Sequence, residues 1–160
     1  LMNRQFWQQQ LQLEITRAER YDRPLSLLLF DIDRFKSLND QYGHQQGDLL
    51  LQALARFITS LLRDNDLLAR FAGAEFAVVL PDTPISGAME VANRIRLQLA
   101  QQPLLEPYAA LRISISAGVS LYHAAMTADE LIQQADQALY QAKRAGRDQV
   151  SVFTASAKAS

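Results

Sequence analysis

The sequence predicts one α/β or α+β domain in which helices pack on a single sheet, a layer fold related to the ferredoxin-like type. Two observations lead to this prediction. A short apolar run starts at Pro24 and is closed by acidic residues, and segments with helical spacing alternate with short strands along the rest of the chain. The 160 residues fit one domain. We expect it to span residues 1–155, with a disordered tail at 156–160.

The first part of the chain predicts a helix, a strand and then one or two helices. Residues 2–20 place apolar side chains among polar neighbours with the spacing of an amphipathic helix. Residues 24–33, PLSLLLFDID, are almost continuously apolar before the acids, which is typical of a buried central strand. Residues 48–63 return to helical spacing, and the stretch before them leaves room for a second short helix.

The middle of the chain predicts a hairpin, a helix and a long strand. Residues 67–71 and 76–80 flank a turn of small residues, as in a hairpin. A helix is predicted from Thr83 to about Gln101. Residues 111–122 alternate apolar side chains with small or polar ones, which predicts a half-buried strand.

The end of the chain predicts a capped helix and a last short strand. Thr127 and Glu130 have the spacing of a capping box, and the helix they open runs to about Ala145. Gly146 then occupies the position after the helix where glycine is favoured. Residues 149–153, QVSVF, predict the strand.

Composition excludes several classes of protein. The 16 Lys and Arg residues oppose 17 Asp and Glu, and the net charge of −1 argues against a sequence-independent grip on nucleic acid. The absence of cysteine excludes disulfides, thiolate metal sites and a cysteine nucleophile, and two histidines exclude an all-histidine zinc site. No apolar run approaches the roughly 18–20 residues of a membrane span. The chain opens inside a predicted helix, so we expect it to be part of a longer protein.

Two acids close the predicted central strand. Asp31 and Asp33 are two residues apart and therefore project to the same face of a strand. Carboxylates at the end of a central strand are suited to Mg²⁺, which binds oxygen ligands and commonly shares them with phosphates. Strand-end acids are also often merely solvated, and the spacing alone favours that interpretation.

Three further groups of residues are candidate parts of a binding site. Asn39 and Asp48 lie beside a glycine-containing bend and could bind the edge of guanine, or belong to an ordinary loop. Gly73 allows a tight hairpin turn, beside which Glu75 is the one acid left. The cations at the end of the last helix could bind a triphosphate or simply complement the helix dipole. They are Lys143, Arg144 and Arg147.

Together these segments resemble a known family over nearly the whole chain. LMNRQFW, FDIDRFKSLNDQYGHQQGD, RFAGAEF and YQAKRAGRDQV resemble the GGDEF domain of diguanylate cyclases. The resemblance implies an α+β fold: a five-stranded, mainly antiparallel sheet with a ferredoxin-like βαββαβ core and helices on both faces, as in nucleotidyl cyclases. It also implies that two domains meet face to face, each with GTP and Mg²⁺ (or Mn²⁺). Each 3′-hydroxyl attacks the α-phosphate of the other GTP, giving cyclic di-GMP and two pyrophosphates.

The resemblance also implies roles for individual residues. Those that would hold the metal are Asp31, the carbonyl of Ile32 and Glu75. Those that would bind the nucleotide are Lys36, Asn39, Asp48, Gly73, Lys143 and Arg147. Among these, Asn39 and Asp48 would contact guanine, and the three cations would contact phosphates.

The loop departs from the family pattern. The family has Gly-Gly-Asp/Glu-Glu-Phe where this chain has AGAEF at 72–76. Ala74 fills the slot of the acid tied to metal binding and to activation of the 3′-hydroxyl, so Glu75 is the remaining candidate catalytic acid. Neighbouring residues on a hairpin point in different directions, so Glu75 is not expected to substitute. Loss of a general base typically costs about 10²–10⁴ in rate, which predicts weak or no cyclase activity.

A second candidate site lies before the loop. Arg63-x-x-Asp66 matches the family's product-binding, inhibitory site, and five residues separate it from the loop. Arg63 can form a planar fork with guanine or pair with phosphate, and Asp66 can accept from guanine N–H groups. Arg94 on the following helix is a further candidate cation. Alternatively, RDND is a polar loop between a helix and a strand.

The preferred hypothesis is a regulatory module that binds cyclic di-GMP and GTP. The alternatives are an active or deliberately inactivated diguanylate cyclase, and a purely structural dimerisation domain. The resemblance implies a homodimer for activity, an upstream sensory domain, and neither nucleic-acid binding nor direct membrane contact by this segment. It further implies residence in the cytoplasm, either free or as the cytoplasmic part of a membrane-anchored protein.

Overall fold

A computed structural model gives the structure of the chain and describes residues 2–101 and 113–154. The predicted tail at 156–160 and the first two residues of the strand predicted at 111–122 lie outside the described residues. In chain order the elements are α1 (Arg4–Tyr21), β1 (Leu25–Ile32), α2 (Phe35–Tyr42), α3 (His44–Leu61), β2 (Leu67–Ala72), β3 (Glu75–Pro81), α4 (Ile85–Gln101), β4 (Ile115–Leu121), α5 (Ala128–Arg144) and β5 (Val150–Val152).

The described strands form one mixed, mainly antiparallel sheet in the order β2-β3-β1-β4-β5. Strand β1 is central and pairs antiparallel with both β3 and β4, while β5 adds in parallel to β4. This confirms the α+β fold with helices on both faces. The edge strand β5 is reached through α5, which crosses over the sheet as parallel pairing requires.

The core has two layers because β1 is apolar on both faces. Leu28 and Phe30 face the cluster covered by α3 and α4, whereas Leu27 and Leu29 face the cluster covered by α1 and α5. All four are at most 1% exposed, as are Trp7 and Leu11 of α1. Burial on both faces explains why the β1 segment shows no alternation of polar and apolar residues.

Strand β4 corrects one prediction. Its residues were expected to be half-buried, but all except Leu121 are buried, including Ser116 and Ser120. The small polar side chains face α5, and they are satisfied inside the protein: Ser120 Oγ donates to the carbonyl of Leu131 at 2.8 Å. In β4 the pattern therefore alternates between large and small side chains that are nearly all buried, and not between buried and exposed side chains.

Helix ends follow the chemistry of their caps. The capping box of Thr127 and Glu130 is confirmed at the start of α5. Asn3 caps α1 by accepting a hydrogen bond from the amide of Phe6 at 2.9 Å, a cap that sequence analysis missed. The helix predicted to begin at residue 48 begins at His44, because Gly43 with φ of 91° separates it from α2.

Helix α5 lies unusually close to β4 at Gly118. A Cβ atom on Gly118 would overlap the backbone nitrogen of Leu139 and the carbonyl oxygen of Ala135. Only glycine therefore permits this separation between helix and strand. None of the helices in the described ranges combines the length and apolar character needed to cross a membrane.

We expect Gly118→Ala to lower the free energy of unfolding by about 3 kcal/mol, the upper end of the usual overpacking cost, because backbone must move to admit the methyl. Urea denaturation followed by circular dichroism measures the change. The control is Gly87→Ala in α4, where a Cβ would lie 3.1 Å from Cγ2 of Thr83 and the nearest atoms all belong to side chains, not to backbone. Its effect should stay below about 1 kcal/mol, since alanine favours helix. Equal losses in the two variants would contradict the close-packing account.

Candidate functional site

Charged side chains gather at the end of β1. The carboxylate of Asp31 accepts a hydrogen bond from Lys143 Nζ of α5 at 2.7 Å. In the sheet register Asp31 stands opposite Glu75 on β3 and Ser116 on β4. Two acids and one cation that are far apart in sequence therefore meet at one end of the central strands.

Glu75 is a half-buried acid in an unfavourable electrostatic position. Burial is the main cause that raises its pKa, and the negative charges of Asp136 and Asp31 raise it further, against the opposing effects of Lys143 and Arg4. The carboxyl borders a cavity of 290 Å³ between the hairpin, α1 and α5. The folded protein thus makes Glu75 a better proton acceptor than an exposed glutamate.

Ala74 and Glu75 are adjacent in the chain but face opposite sides of the sheet. Ala74 is 8% exposed and belongs to the cluster on the α3 and α4 side of the sheet, whereas Glu75 borders the cavity on the α1 and α5 side. Gly73 has φ of 52°, and its carbonyl accepts a hydrogen bond from Arg70 Nε at 2.7 Å. The two neighbours therefore face opposite sides, as expected from the alternation of side chains.

The donor set at this end suits a hard cation that keeps much of its water. Within residues 2–101 and 113–154, no three acidic or histidine side chains converge as a metal cage would require. Asp31 and Glu75 supply two carboxylates, and the carbonyl of Ile32 follows directly in the chain. Mg²⁺ accepts such a set because it usually binds one or two carboxylates together with substrate phosphates and waters. The residues present fit the metal, although Lys143 already neutralises Asp31.

Asp33 has a different environment from Asp31. Its two carboxylate oxygens accept hydrogen bonds of 2.6 Å from the hydroxyls of Ser114 and Ser116, and one also accepts from the amide of Asp148 at 3.0 Å. Asp33 therefore ties the end of β1 to β4 and to the loop after α5. Sequence analysis considered Asp33 with Asp31 as a magnesium ligand or a solvated acid and gave it no structural role. The only signal for that role was the serine pair two residues apart on the predicted strand.

The two candidate guanine residues lie on neighbouring helices. Asn39 of α2 packs directly against Gly47 of α3, where a Cβ would overlap its Oδ1. That oxygen is buried and has no hydrogen-bond partner among the described residues. Asp48 is the next residue of α3 and is exposed. An unsatisfied amide beside an exposed carboxylate supplies the acceptors that the guanine N–H edge requires.

The candidate phosphate cations lie in two helices and one loop. Lys36 is exposed in the first turn of α2, and Lys143 is in the last turn of α5 beside Asp31. Arg147 is exposed in the loop after α5 and has φ of 63°. The structure joins Lys143 to the carboxylate end of β1 and leaves the other two directed to the surface.

Arg63 and Asp66 form a closed unit at the start of β2. Arg63 Nη2 lies 3.0 Å from Asp66 Oδ1 and donates to the carbonyl of Pro81 and to Thr83 Oγ1, each at 2.8 Å. The Arg63 side chain remains 58% exposed. Thr83, which sequence analysis assigned only to a helix start, thus supports the arginine. Arg94 makes no hydrogen bond or ion pair with this unit; it lines a 660 Å³ groove on the outer face of α4 with Met89 and Leu97.

Comparisons of the sequence with known proteins identify one family. A family model described as "Diguanylate cyclase, GGDEF domain" matches residues 1–149. The chain is 38% identical over 152 residues to diguanylate cyclase DgcP of Pseudomonas aeruginosa, covering 95% of this chain and 23% of DgcP. It is 39% identical over 153 residues to response regulator PleD of Caulobacter vibrioides, covering 94% of this chain and 34% of PleD. The chain therefore spans only 23% and 34% of the length of these two relatives.

Solved structures agree with the sequence relatives. The active GGEEF domain of a diguanylate cyclase from Vibrio cholerae superposes with a TM-score of 0.90 at 36% identity, covering 96% of this chain and 98% of that one. The GGDEF domain of DgcB from Caulobacter crescentus, solved in complex with c-di-GMP, gives 0.89 at 29% identity, covering 96% and 91%.

The position of Glu75 predicts a pH-dependent stability. Its raised pKa means that the folded chain binds a proton more tightly than the unfolded chain, so this residue's contribution to stability falls as pH rises from the ordinary glutamate pKa of 4.5 through the raised value. We expect Glu75→Gln to match the wild type below that window and to be more stable above it. Urea denaturation across pH measures the difference.

A second variant tests the cause. Asp136→Asn removes a negative charge that raises the pKa of Glu75, so in that background the gain from Glu75→Gln should begin at the same pH, level off at lower pH and be smaller. A gain independent of pH would show that packing, not ionisation, distinguishes Gln from Glu at position 75.

Proposed function

The chain belongs to the GGDEF family of diguanylate cyclase domains, and we propose that it binds GTP and cyclic di-GMP as a regulatory module with weak or no cyclase activity. The observation that carries this proposal is Ala74. It replaces the loop acid with a methyl group, while the neighbouring Glu75 faces the other side of the sheet. The Vibrio cholerae neighbour described as active has a GGEEF loop, which keeps an acid at the corresponding position.

The nucleotide would be bound from two sides. Asn39 and Asp48 supply hydrogen-bond acceptors for guanine, and the buried Oδ1 of Asn39 has no partner among the described residues. This oxygen supports the proposal because an unsatisfied buried acceptor costs free energy unless a donor reaches it. Gly73 would let backbone approach the nucleotide.

The phosphates would lie over the cations at the end of β1 and α5. Lys36, Lys143 and Arg147 supply positive charge, and Lys143 reaches the site through its 2.7 Å contact with Asp31. Asp31, the Ile32 carbonyl and Glu75 would hold Mg²⁺ or Mn²⁺, and the bound metal would neutralise phosphate charge. The arrangement supports binding of a triphosphate, since binding needs position and charge and no general base.

Catalysis needs more than this arrangement. In the family reaction a 3′-hydroxyl attacks an α-phosphate, so the hydroxyl must lose its proton. Ala74 cannot accept that proton or contact a metal. Glu75 is a proton acceptor of raised pKa, but beside Asp31 it is one of the proposed metal ligands, and the AGAEF loop has no second acid to accept that proton. The geometry thus favours binding over turnover.

The regulatory half of the proposal rests on Arg63 and Asp66. Nε and Nη2 of Arg63 are bonded to Asp66, and Nη2 also to Pro81 and Thr83, which fixes the plane of a guanidinium that is 58% exposed. Its Nη1 has no hydrogen-bond partner among the described residues. A pre-organised, exposed arginine fork is suited to guanine or phosphate. Arg94 on α4 would add a cation to the bound dinucleotide.

The wider context follows the family. We infer that two copies meet face to face when the family reaction occurs, that the chain works with an upstream sensory domain, and that it resides where GTP is available, in the cytoplasm. That residence includes the cytoplasmic part of a membrane-anchored protein.

An active cyclase is the second candidate, because the Asp31, Lys143 and Glu75 group is complete. Ala74→Asp distinguishes the two. We expect it to raise cyclic di-GMP formation from GTP and Mg²⁺ at least about 10²-fold, the usual value of a general base, measured by chromatography at high protein concentration. Ala74→Asn, of the same size and uncharged, should stay at the wild-type level. Equal and substantial turnover by the wild type and Ala74→Asp would reject the inactive-module proposal.

Binding of cyclic di-GMP is tested by calorimetry. We expect Arg63→Ala to weaken binding at least about tenfold, since a charge-assisted bond contributes about 1.5–3 kcal/mol. The control is Arg56→Ala, which removes an exposed arginine from α3. If the wild type binds cyclic di-GMP and Arg63→Ala binds it equally tightly, the assigned site is wrong. If the wild type bound neither GTP nor cyclic di-GMP, the structural dimerisation domain would be favoured.

A further inference from the structure

The loop after α5 holds three consecutive residues with positive φ angles. The φ angles are 120° at Gly146, 63° at Arg147 and 47° at Asp148. Glycine adopts such angles freely and aspartate tolerates them, but for arginine the Cβ crowds the following carbonyl oxygen. The loop conformation at Arg147 must therefore be imposed by surrounding contacts.

Those contacts come from three separate elements. The amide of Asp148 donates to Asp33 Oδ2 at 3.0 Å, at the end of β1. Arg96 Nη1 of α4 donates to the carbonyl of Asp148 at 3.3 Å and to its Oδ1 at 3.2 Å. The amide of Arg147 donates to the carbonyl of Ala142 in α5 at 3.0 Å.

The two outer anchors are themselves fixed. Ser116 of β4 and Ser114, directly before that strand, donate hydrogen bonds to the two oxygens of Asp33. Arg96 Nε and Nη2 donate to Asn93 Oδ1 at 3.3 and 3.2 Å, and its side chain is only 22% exposed. The loop is thus clamped between rigid groups.

The clamp leaves the side chain of Arg147 available. Across the two described ranges its guanidinium has no hydrogen-bond or ion-pair partner, although its backbone is held on both sides. Asp33 is two residues from Asp31, which binds Lys143, so the clamped loop lies at the same end of the sheet as that pair. A cation whose backbone is already fixed loses less conformational freedom when it binds an anion.

We propose that Arg96 and Asp148 are positioning residues for nucleotide binding, which with Asp33 hold Arg147 beside Lys143 to receive the phosphates of GTP. This inference rests on the proposed GTP binding. It assigns Arg96, a helix residue without contact to the nucleotide, a role that depends on the phosphates and not on guanine.

The test compares a triphosphate with a ligand that lacks phosphate. The probe is a GTP analogue whose α,β-bridging oxygen is methylene, so that the bond broken in the family reaction stays intact; guanosine is the second probe. We expect Arg96→Gln and Asp148→Asn to weaken the analogue at least about tenfold, a difference of about 1.4 kcal/mol, with guanosine affinity unchanged. Asparagine tolerates the left-handed conformation, so Asp148→Asn removes the charge without adding backbone strain.

Two controls separate positioning from general stability. Arg17→Gln removes another Arg–Asp pair, with Asp82 at 3.1 Å, near the opposite end of β1, and should leave the affinity for both probes unchanged. Amide hydrogen exchange at Asp148 should accelerate in Arg96→Gln and not in Arg17→Gln. The double variant of Arg96 and Asp148 should lose no more analogue affinity than either single variant, because the two act as one unit.

The measurements distinguish a failure of the proposed GTP binding from a failure of the positioning role. If the wild type does not bind the analogue, the proposed GTP binding is wrong and the positioning role falls with it. If the wild type binds, Arg147→Ala weakens binding, and Arg96→Gln binds as tightly as the wild type, the GTP site stands and the positioning role is wrong. Equal loss of analogue and guanosine affinity in Arg96→Gln would also overturn it.

Discussion

The close approach of α5 to β4 at Gly118 is the constraint on which the candidate site depends. With a side chain at that position the helix would have to move away from the sheet, because Leu139 and Ala135 backbone atoms occupy the space. With α5 this close to the sheet, Lys143 Nζ lies 2.7 Å from the carboxylate of Asp31. The same helix carries Asp136, whose negative charge raises the pKa of Glu75. The loop that carries Arg147 begins at the end of α5, so the position of Arg147 also depends on the contact at Gly118.

Strand β3 links the two candidate sites. At one end Glu75 pairs with Asp31, where the nucleotide and metal would bind. At the other end the carbonyl of Pro81 accepts a hydrogen bond from Arg63. One buried strand therefore connects the proposed catalytic and regulatory regions. This connected framework does not depend on an acid at position 74, so it is compatible with the proposed binding role.

Sequence patterns predicted the elements and the family but not the contacts between distant segments. The buried run of β1 and the capping box of Thr127 were readable because both depend on neighbouring residues. The roles of Asp33 and Thr83 were not, since each depends on partners more than 15 residues away in the chain. Burial of β4 on both faces was missed for the same reason: small residues look exposed until a helix covers them.

The most direct test of the central claim is to saturate the purified chain with GTP and Mg²⁺ and identify the nucleotide recovered from it. The account predicts that each chain binds GTP and that the bound nucleotide is recovered almost unchanged, because the site keeps its cations and guanine acceptors but lacks the acid at position 74. Recovery of cyclic di-GMP with pyrophosphate in solution, at a rate similar to that of Ala74→Asp, would contradict it.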